Sequence, residues 1–153
     1  MPRPALLPWN RMSFQWFQMR VQEEQERRQR EAQILERLPR ALEETYRHLA
    51  ECIEAYADAF GPESADIHLQ ASKIRIAIRE EQEGKWQQRA KVEISITASL
   101  PGFRIERGGE PLMIEVGLLP GDKLFFRDQD EFLTMEELTR RTLDRVLFPK
   151  LGE

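Results

Sequence analysis

Three side chains that could bind a transition metal recur along one predicted helix. Glu44, His48 and Cys52 are spaced i, i+4 and i+8, so a helix would place them on one side. Carboxylate, imidazole and thiolate groups all bind zinc. Cys52 also falls on the apolar stripe of that helix, where a free cysteine packs as a small hydrophobic side chain. We therefore predict neither a metal site nor a cofactor from these residues.

Catalytic motifs are missing from the sequence. It contains no G-x-S-x-G, H-E-x-x-H or C-x-x-C. His68 alternates out of phase with Ile67 and Leu69, which places it on the polar side of a predicted strand with no identifiable partner. The acidic residues at 128–131 lack the spacing of a calcium loop and suit the dipole of the helix that follows them. We expect no catalytic residues, and the sequence favours a protein that is not an enzyme.

A ligand pocket between the sheet and the helices is an open alternative. Such a pocket needs a few polar groups that converge on an apolar cavity. It would make the protein a small ligand binder or an enzyme. The polar and aromatic candidates are Glu44, Tyr46, His48, Tyr56 and Arg75.

The N-terminal region is unusually rich in aromatic residues. Residues 12–21 (MSFQWFQMRV), here called the aromatic segment, have a helical i, i+3, i+7 apolar spacing. Residues 22–33, here called the polar spacer, contain no large apolar side chain and span about 18 Å as a helix. Apolar side chains that far from a core need another surface to cover them. The residues predicted to bind that surface are Trp9, Phe14, Trp16, Phe17 and Val21.

These features predict a non-enzymatic interaction and assembly module. It would self-associate, or dock an unidentified protein partner, through its aromatic N-terminal helix. Peripheral membrane attachment through residues 9–21 is a further alternative, ranked lower because basic residues there are few.

The net charge of −4 and the pI of 5.4 disfavour nucleic-acid binding. Basic residues on the polar sheet face alternate with acidic ones, as expected of cross-strand ion pairs.

The polar spacer is expected to remain helical because its charges alternate in sign. Glutamates four residues before arginines stabilise a helix by about 0.2–0.5 kcal/mol per pair. The predicted pairs are Glu23–Arg27, Glu24–Arg28 and Glu26–Arg30.

The order of elements predicts an α+β fold. One long helix should run to the stop at Gly61-Pro62 and kink, or restart, near Pro39. Strands with period two then form an antiparallel meander of four or five strands, with a β-bulge at Ser72–Lys73 or one strand that bends there from one surface to another. One C-terminal helix starts at a capping box of Thr134 and Glu137. Both helices should pack on one sheet face.

The 153 residues fit one main domain with an N-terminal extension. Residues 1–11 are a predicted disordered arm, residues 12–33 are the aromatic segment and polar spacer, and residues 34–153 are a single α+β domain. No secretory signal or membrane-spanning run is evident, so the predicted location is the cytoplasm.

Overall fold

A computed structural model describes residues 14–152 and shows an α+β protein. Helix α1 (Gln15–Phe60) opens the described chain and helix α2 (Met135–Leu147) closes it. The seven strands between them are β1 (Ala65–Gln70), β2 (Lys73–Gln82), β3 (Lys85–Thr97), β4 (Gly102–Glu106), β5 (Leu112–Leu119), β6 (Lys123–Asp128) and β7 (Glu131–Leu133). The chain divides into two units, Met1–Gln33 and Ile34–Glu153. The predicted arm at residues 1–11 lies outside the described residues.

Helix α1 is continuous for 46 residues and contains Pro39. Of the two alternatives predicted near Leu38, a restart of the helix is wrong because α1 is continuous there. The kink stays a prediction. Pro39 itself is exposed, whereas Leu38 and Leu42 on either side of it are fully buried. Proline has no backbone N–H, so one hydrogen bond of the helix is missing at Pro39. The packing of Leu38 and Leu42 in the core stabilises the helix at this point.

The sheet is a pure antiparallel meander in the order β1 to β7, with each strand paired to the next along the chain. The predicted number of strands, four or five, was wrong because two tight turns carry no glycine. Ala71 and Ser72 have positive φ angles of 54° and 58° and connect Gln70 to its partner Lys73. This is a two-residue hairpin turn, not the predicted bulge or bend. A second two-residue hairpin turn, which contains Gln129 with a φ angle of 55°, connects β6 to β7.

One face of the sheet is apolar from the first strand to the last. Residues directly opposite each other in neighbouring strands share a face, so Ile76 lies beside Val92, and Val116 beside Phe126. Buried residues of α1 and α2 join these residues in a single core cluster. The fully buried side chains of greatest volume are Phe103, Leu38, Leu42, Leu49, Ile74, Ile76, Ile78, Ile94, Ile105, Ile114, Leu138 and Val92.

The predicted start of the last helix is confirmed. The Thr134 hydroxyl accepts a hydrogen bond from the Glu137 backbone at 3.1 Å, and the Thr134 backbone donates to the Glu137 carboxylate at 3.0 Å. Hydrogen bonding to the Glu137 carboxylate, first from the Thr134 backbone N–H and then from the Thr134 side chain, holds the pKa of Glu137 below its ordinary value. The capping box thereby fixes where α2 begins and which of its sides meets the core.

Candidate functional site

The large apolar side chains of the aromatic segment are exposed in the described part of α1. Trp16 is 61% exposed and Met19 is 59% exposed, and Phe14, Phe17 and Val21 are exposed as well. The Trp16 and Phe17 rings meet edge to face, with centroids 5.7 Å apart. Trp9, which the sequence also assigns to partner binding, lies outside the described residues. The described part of the segment therefore exposes several large apolar side chains close together, which is unusual for a helix in water.

Apolar residues occupy opposite sides of the aromatic segment. At about 100° per residue, Phe17 and Val21 lie on one side of the helix, whereas Met19 lies about 200° away from Phe17. Trp16 lies on the side of Met19. A helix that is apolar on opposite sides must contact other apolar surfaces on both sides to remove its apolar side chains from water. A flat surface could contact only one side of such a helix.

The polar spacer is helical, and Glu24, Arg27, Arg28 and Glu31 form ion pairs within it. Arg27 binds Glu24 at 2.8 Å and Glu31 at 2.6 Å, and Arg28 binds Glu24 at 2.9 Å. Of the three predicted pairs, only Glu24–Arg28 appears in the described structure. Hydrogen bonds from Arg27 and then Arg28 lower the pKa of Glu24 to about 2.

A groove of about 640 Å³ lies between the last turns of α1 and helix α2. Leu143 and Leu147 of α2 and the small side chains of Ala55 and Ala59 of α1 contribute its apolar walls. Tyr56 closes one end with two phenylalanines, Phe60 at 4.8 Å and Phe148 at 5.8 Å between ring centroids. Its volume falls within the roughly 300–1,000 Å³ typical of ligand pockets.

The polar rim of the groove is acidic. Three carboxylates, Glu51, Glu136 and Asp144, face one guanidinium, Arg140, which gives a net charge of −2 with His48 neutral. Arg140 lies 3.7 Å from Asp144, a weak exposed pair. Burial in this wall, and then the charge of Glu51, raises the pKa of the Cys52 thiol. A raised pKa makes Cys52 a poor nucleophile, since the thiolate is the reacting form.

The five residues predicted for a ligand pocket are not brought together. His48 and Tyr56 line the groove between the helices, and His48 donates from Nδ1 to the Glu44 carbonyl oxygen at 2.9 Å. Tyr46 packs against the core instead. Arg75 lies on the polar sheet face, where it binds its cross-strand partner Glu93 at 3.2 Å.

The polar face of the sheet carries the ion pairs expected from its alternating charges. Besides Arg75–Glu93, the described pairs include Arg79–Asp66, Arg104–Glu106 and Arg127–Glu115, at 2.6, 2.8 and 2.5 Å. His68 also faces Asp66, at 3.6 Å.

An apolar cluster on this polar face was missed by the sequence reasoning. Phe125 and Phe132 meet edge to face at 5.2 Å, and Phe125 covers Gly117. The alternation of β6 could have placed Phe125 on this face. Phe132 belongs to β7, a strand that the sequence did not predict.

The groove itself was also missed. Its α1 wall contains three small residues at the helical spacing i, i+3, i+7, namely Cys52, Ala55 and Ala59. This spacing was the one feature of the sequence that could have indicated the groove. The α2 wall could not be inferred, because the sequence does not specify which side of α1 the last helix meets.

Among residues 14–152, no group of three or more acidic, histidine or cysteine side chains could hold a metal ion. No helix in this part of the chain has the length and apolar content needed to cross a bilayer. No family model, curated protein or solved structure matches the chain.

Proposed function

We propose that the protein is a non-enzymatic interaction and assembly module that self-associates through the aromatic segment. The observation that carries this proposal is the exposure of the large apolar side chains of this segment, above all Trp16 and Met19. Each of these two side chains is more than half exposed in the part of the chain that the structure describes. Full burial of a large apolar side chain stabilises by about 1.5–3 kcal/mol, so covering several partly exposed ones contributes towards the entropy cost of bringing two chains together.

Docking of an unidentified protein partner uses the same surface and is the closest variant of this proposal. Peripheral membrane attachment through residues 9–21 is less well supported. Helices that lie in a membrane interface have one apolar and one polar side. The aromatic segment has apolar residues on opposite sides, with Phe17 opposed by Met19.

The groove favours one second candidate, a small apolar ligand bound between α1 and α2. Its volume of about 640 Å³ and its tyrosine and phenylalanine side chains suit such a ligand. This candidate does not explain the exposed aromatic segment, and we rank it second for that reason.

Sedimentation equilibrium on the full chain tests self-association. We expect a mass above the 18.1 kDa of one chain at micromolar concentration. The double change Trp16→Ala and Met19→Ala should weaken association by about 100-fold or more, because it removes two exposed side chains that association would bury. The matched control is Gln29→Ala, an exposed polar residue on the same helix.

A full chain that stays at 18.1 kDa across the concentration range would contradict the proposal. Equal weakening by the control would also contradict it, since the effect would then belong to the helix in general. Co-sedimentation of the chain with anionic vesicles, lost in the double variant, would favour membrane attachment instead.

A further inference from the structure

The interhelical groove and the described part of the aromatic segment both expose large apolar side chains. Phe60 at the end of the groove is 58% exposed and Phe148 is 37% exposed, in addition to Trp16 and Met19 of the segment. We propose that the groove between α1 and α2 receives the aromatic segment of a second copy of the chain. This inference rests on the proposed self-association and assigns the surface that the segment binds.

Charge complementarity is the first argument for this occupant. Residues 1–22 contain three arginines and no acidic residue, a net side-chain charge of +3, whereas the whole chain carries −4. The remainder of the chain therefore carries −7. The groove rim has a net charge of −2 from Glu51, Glu136, Asp144 and Arg140. Arg20 is the one charged residue of the aromatic segment, where it also pairs with Glu23 at 3.4 Å, and Arg3 and Arg11 precede the segment in the sequence. The positive charge of these three arginines favours an acidic docking surface over a basic one.

The second argument is shape. A groove has two walls, so it can cover a helix that is apolar on opposite sides, as the aromatic segment is. The groove walls run for about 18 Å at 1.5 Å per residue, from His48 to Phe60 on α1 and from Glu136 on α2 to Phe148, the residue that follows α2. As a helix, Phe14 to Val21 spans about 10 Å, so the segment fits within that length.

The chemistry of the lining is the third argument. Cys52, Ala55 and Ala59 leave room at the α1 wall for large side chains. Tyr56, with its two phenylalanine neighbours, offers aromatic edges and faces to rings such as Trp16. Aromatic pairs of this kind are favoured beyond the area that they bury.

The single cysteine of the chain allows a direct test, because Cys52 lies in the groove. A full-length variant with Met19→Cys and Cys52→Ser would be mixed with the unchanged chain and oxidised with copper phenanthroline. A pH of about 8.5 supplies thiolate despite the raised pKa of Cys52. We expect a disulfide between residue 19 of one copy and Cys52 of another, identified by mass spectrometry of the linked peptides.

The control for the cross-link carries Gln29→Cys with Cys52→Ser, which places the thiol on the exposed polar spacer. We expect about tenfold less linked product from it. Linkage at residue 29 equal to that at residue 19 would overturn the assignment of the groove.

A second measurement blocks the groove without new cysteines. Ala55→Lys places a long cationic side chain in the groove, whereas Asp58→Lys places one on an exposed position of the same helix outside it. By sedimentation equilibrium, Ala55→Lys should weaken self-association by about tenfold or more, and Asp58→Lys by less than about threefold. Circular dichroism checks that both variants are folded.

The two proposals fail in different ways. If Trp16→Ala with Met19→Ala abolishes association but Ala55→Lys leaves it intact and Cys52 does not link to residue 19, the groove assignment is wrong and self-association stands. If the full chain is monomeric at every concentration, both are wrong.

Discussion

At the scale of single residues, the polar spacer is organised around Arg27 and Glu24. The sequence predicted pairs in which the glutamate precedes the arginine by four residues, but Arg27 instead uses Glu24, three residues before it, and Glu31, four residues after it. Both carboxylates lie within reach of one guanidinium, which has several donors to share. The spacing rule predicted a charge-paired helix correctly and could not choose between partners on neighbouring turns.

The pairing of Glu24 predicts how the helix responds to acid. The pKa of Glu24 in the folded helix, about 2, lies below its ordinary value of 4.5. Because this pKa is depressed, the stabilisation of the helix by the ionised Glu24 carboxylate is fully present above pH 4.5 and is lost as the pH falls towards 2. Glu24→Gln should reduce ellipticity at 222 nm near neutral pH, and the difference from the unchanged chain should vanish in acid. A difference that does not depend on pH would contradict this assignment.

At the scale of elements, two glycines of the sheet are required for different reasons. A Cβ at Gly117 would lie 2.1 Å from the Phe125 ring, a side chain that can move. A Cβ at Gly102 would lie 1.9 Å from the Ile114 carbonyl oxygen, which belongs to the neighbouring strand. The clash at Gly117 would disappear without the Phe125 ring, whereas the clash at Gly102 is with the backbone of the neighbouring strand and would remain.

A double-mutant cycle separates these two reasons. Gly117→Ala should destabilise the fold by about 1–3 kcal/mol, and by less than about 0.5 kcal/mol when Phe125→Ala is also present. Gly102→Ala should cost as much with Phe125→Ala as without it. Urea unfolding measures all of these variants. If Phe125→Ala fails to rescue Gly117→Ala, the close contact of ring and strand is not the reason for glycine there.

The elements also show what the sequence could and could not predict. Long periodic patterns and the capping box at Thr134 predicted the two helices and an antiparallel meander correctly, but they gave four or five strands where the structure has seven. The hairpin turn at Ala71–Ser72 was missed because neither residue is a usual choice for positive φ, and its geometry is imposed by the strands on both sides. The groove was missed because it depends on where two distant helices meet, and local periodicity does not encode that contact.

At the scale of the whole molecule, apolar surface and charge are both unevenly distributed along the chain. The N-terminal residues are basic and carry exposed aromatic side chains, while the rest of the chain is acidic and holds a groove lined by apolar residues. This distribution is the basis of our proposal that the chain associates with a second copy. The account therefore depends on one claim, that the aromatic segment is covered by another molecule.

The most direct test of this claim is the mass of the protein in solution with and without the segment. Light scattering should give at least twice 18.1 kDa for the full chain at micromolar concentration. A chain that lacks residues 1–21 should give the mass of one molecule at the same concentration. Single-molecule masses for both chains would contradict self-association, and an assembly of equal size in both would show that the aromatic segment does not hold it together.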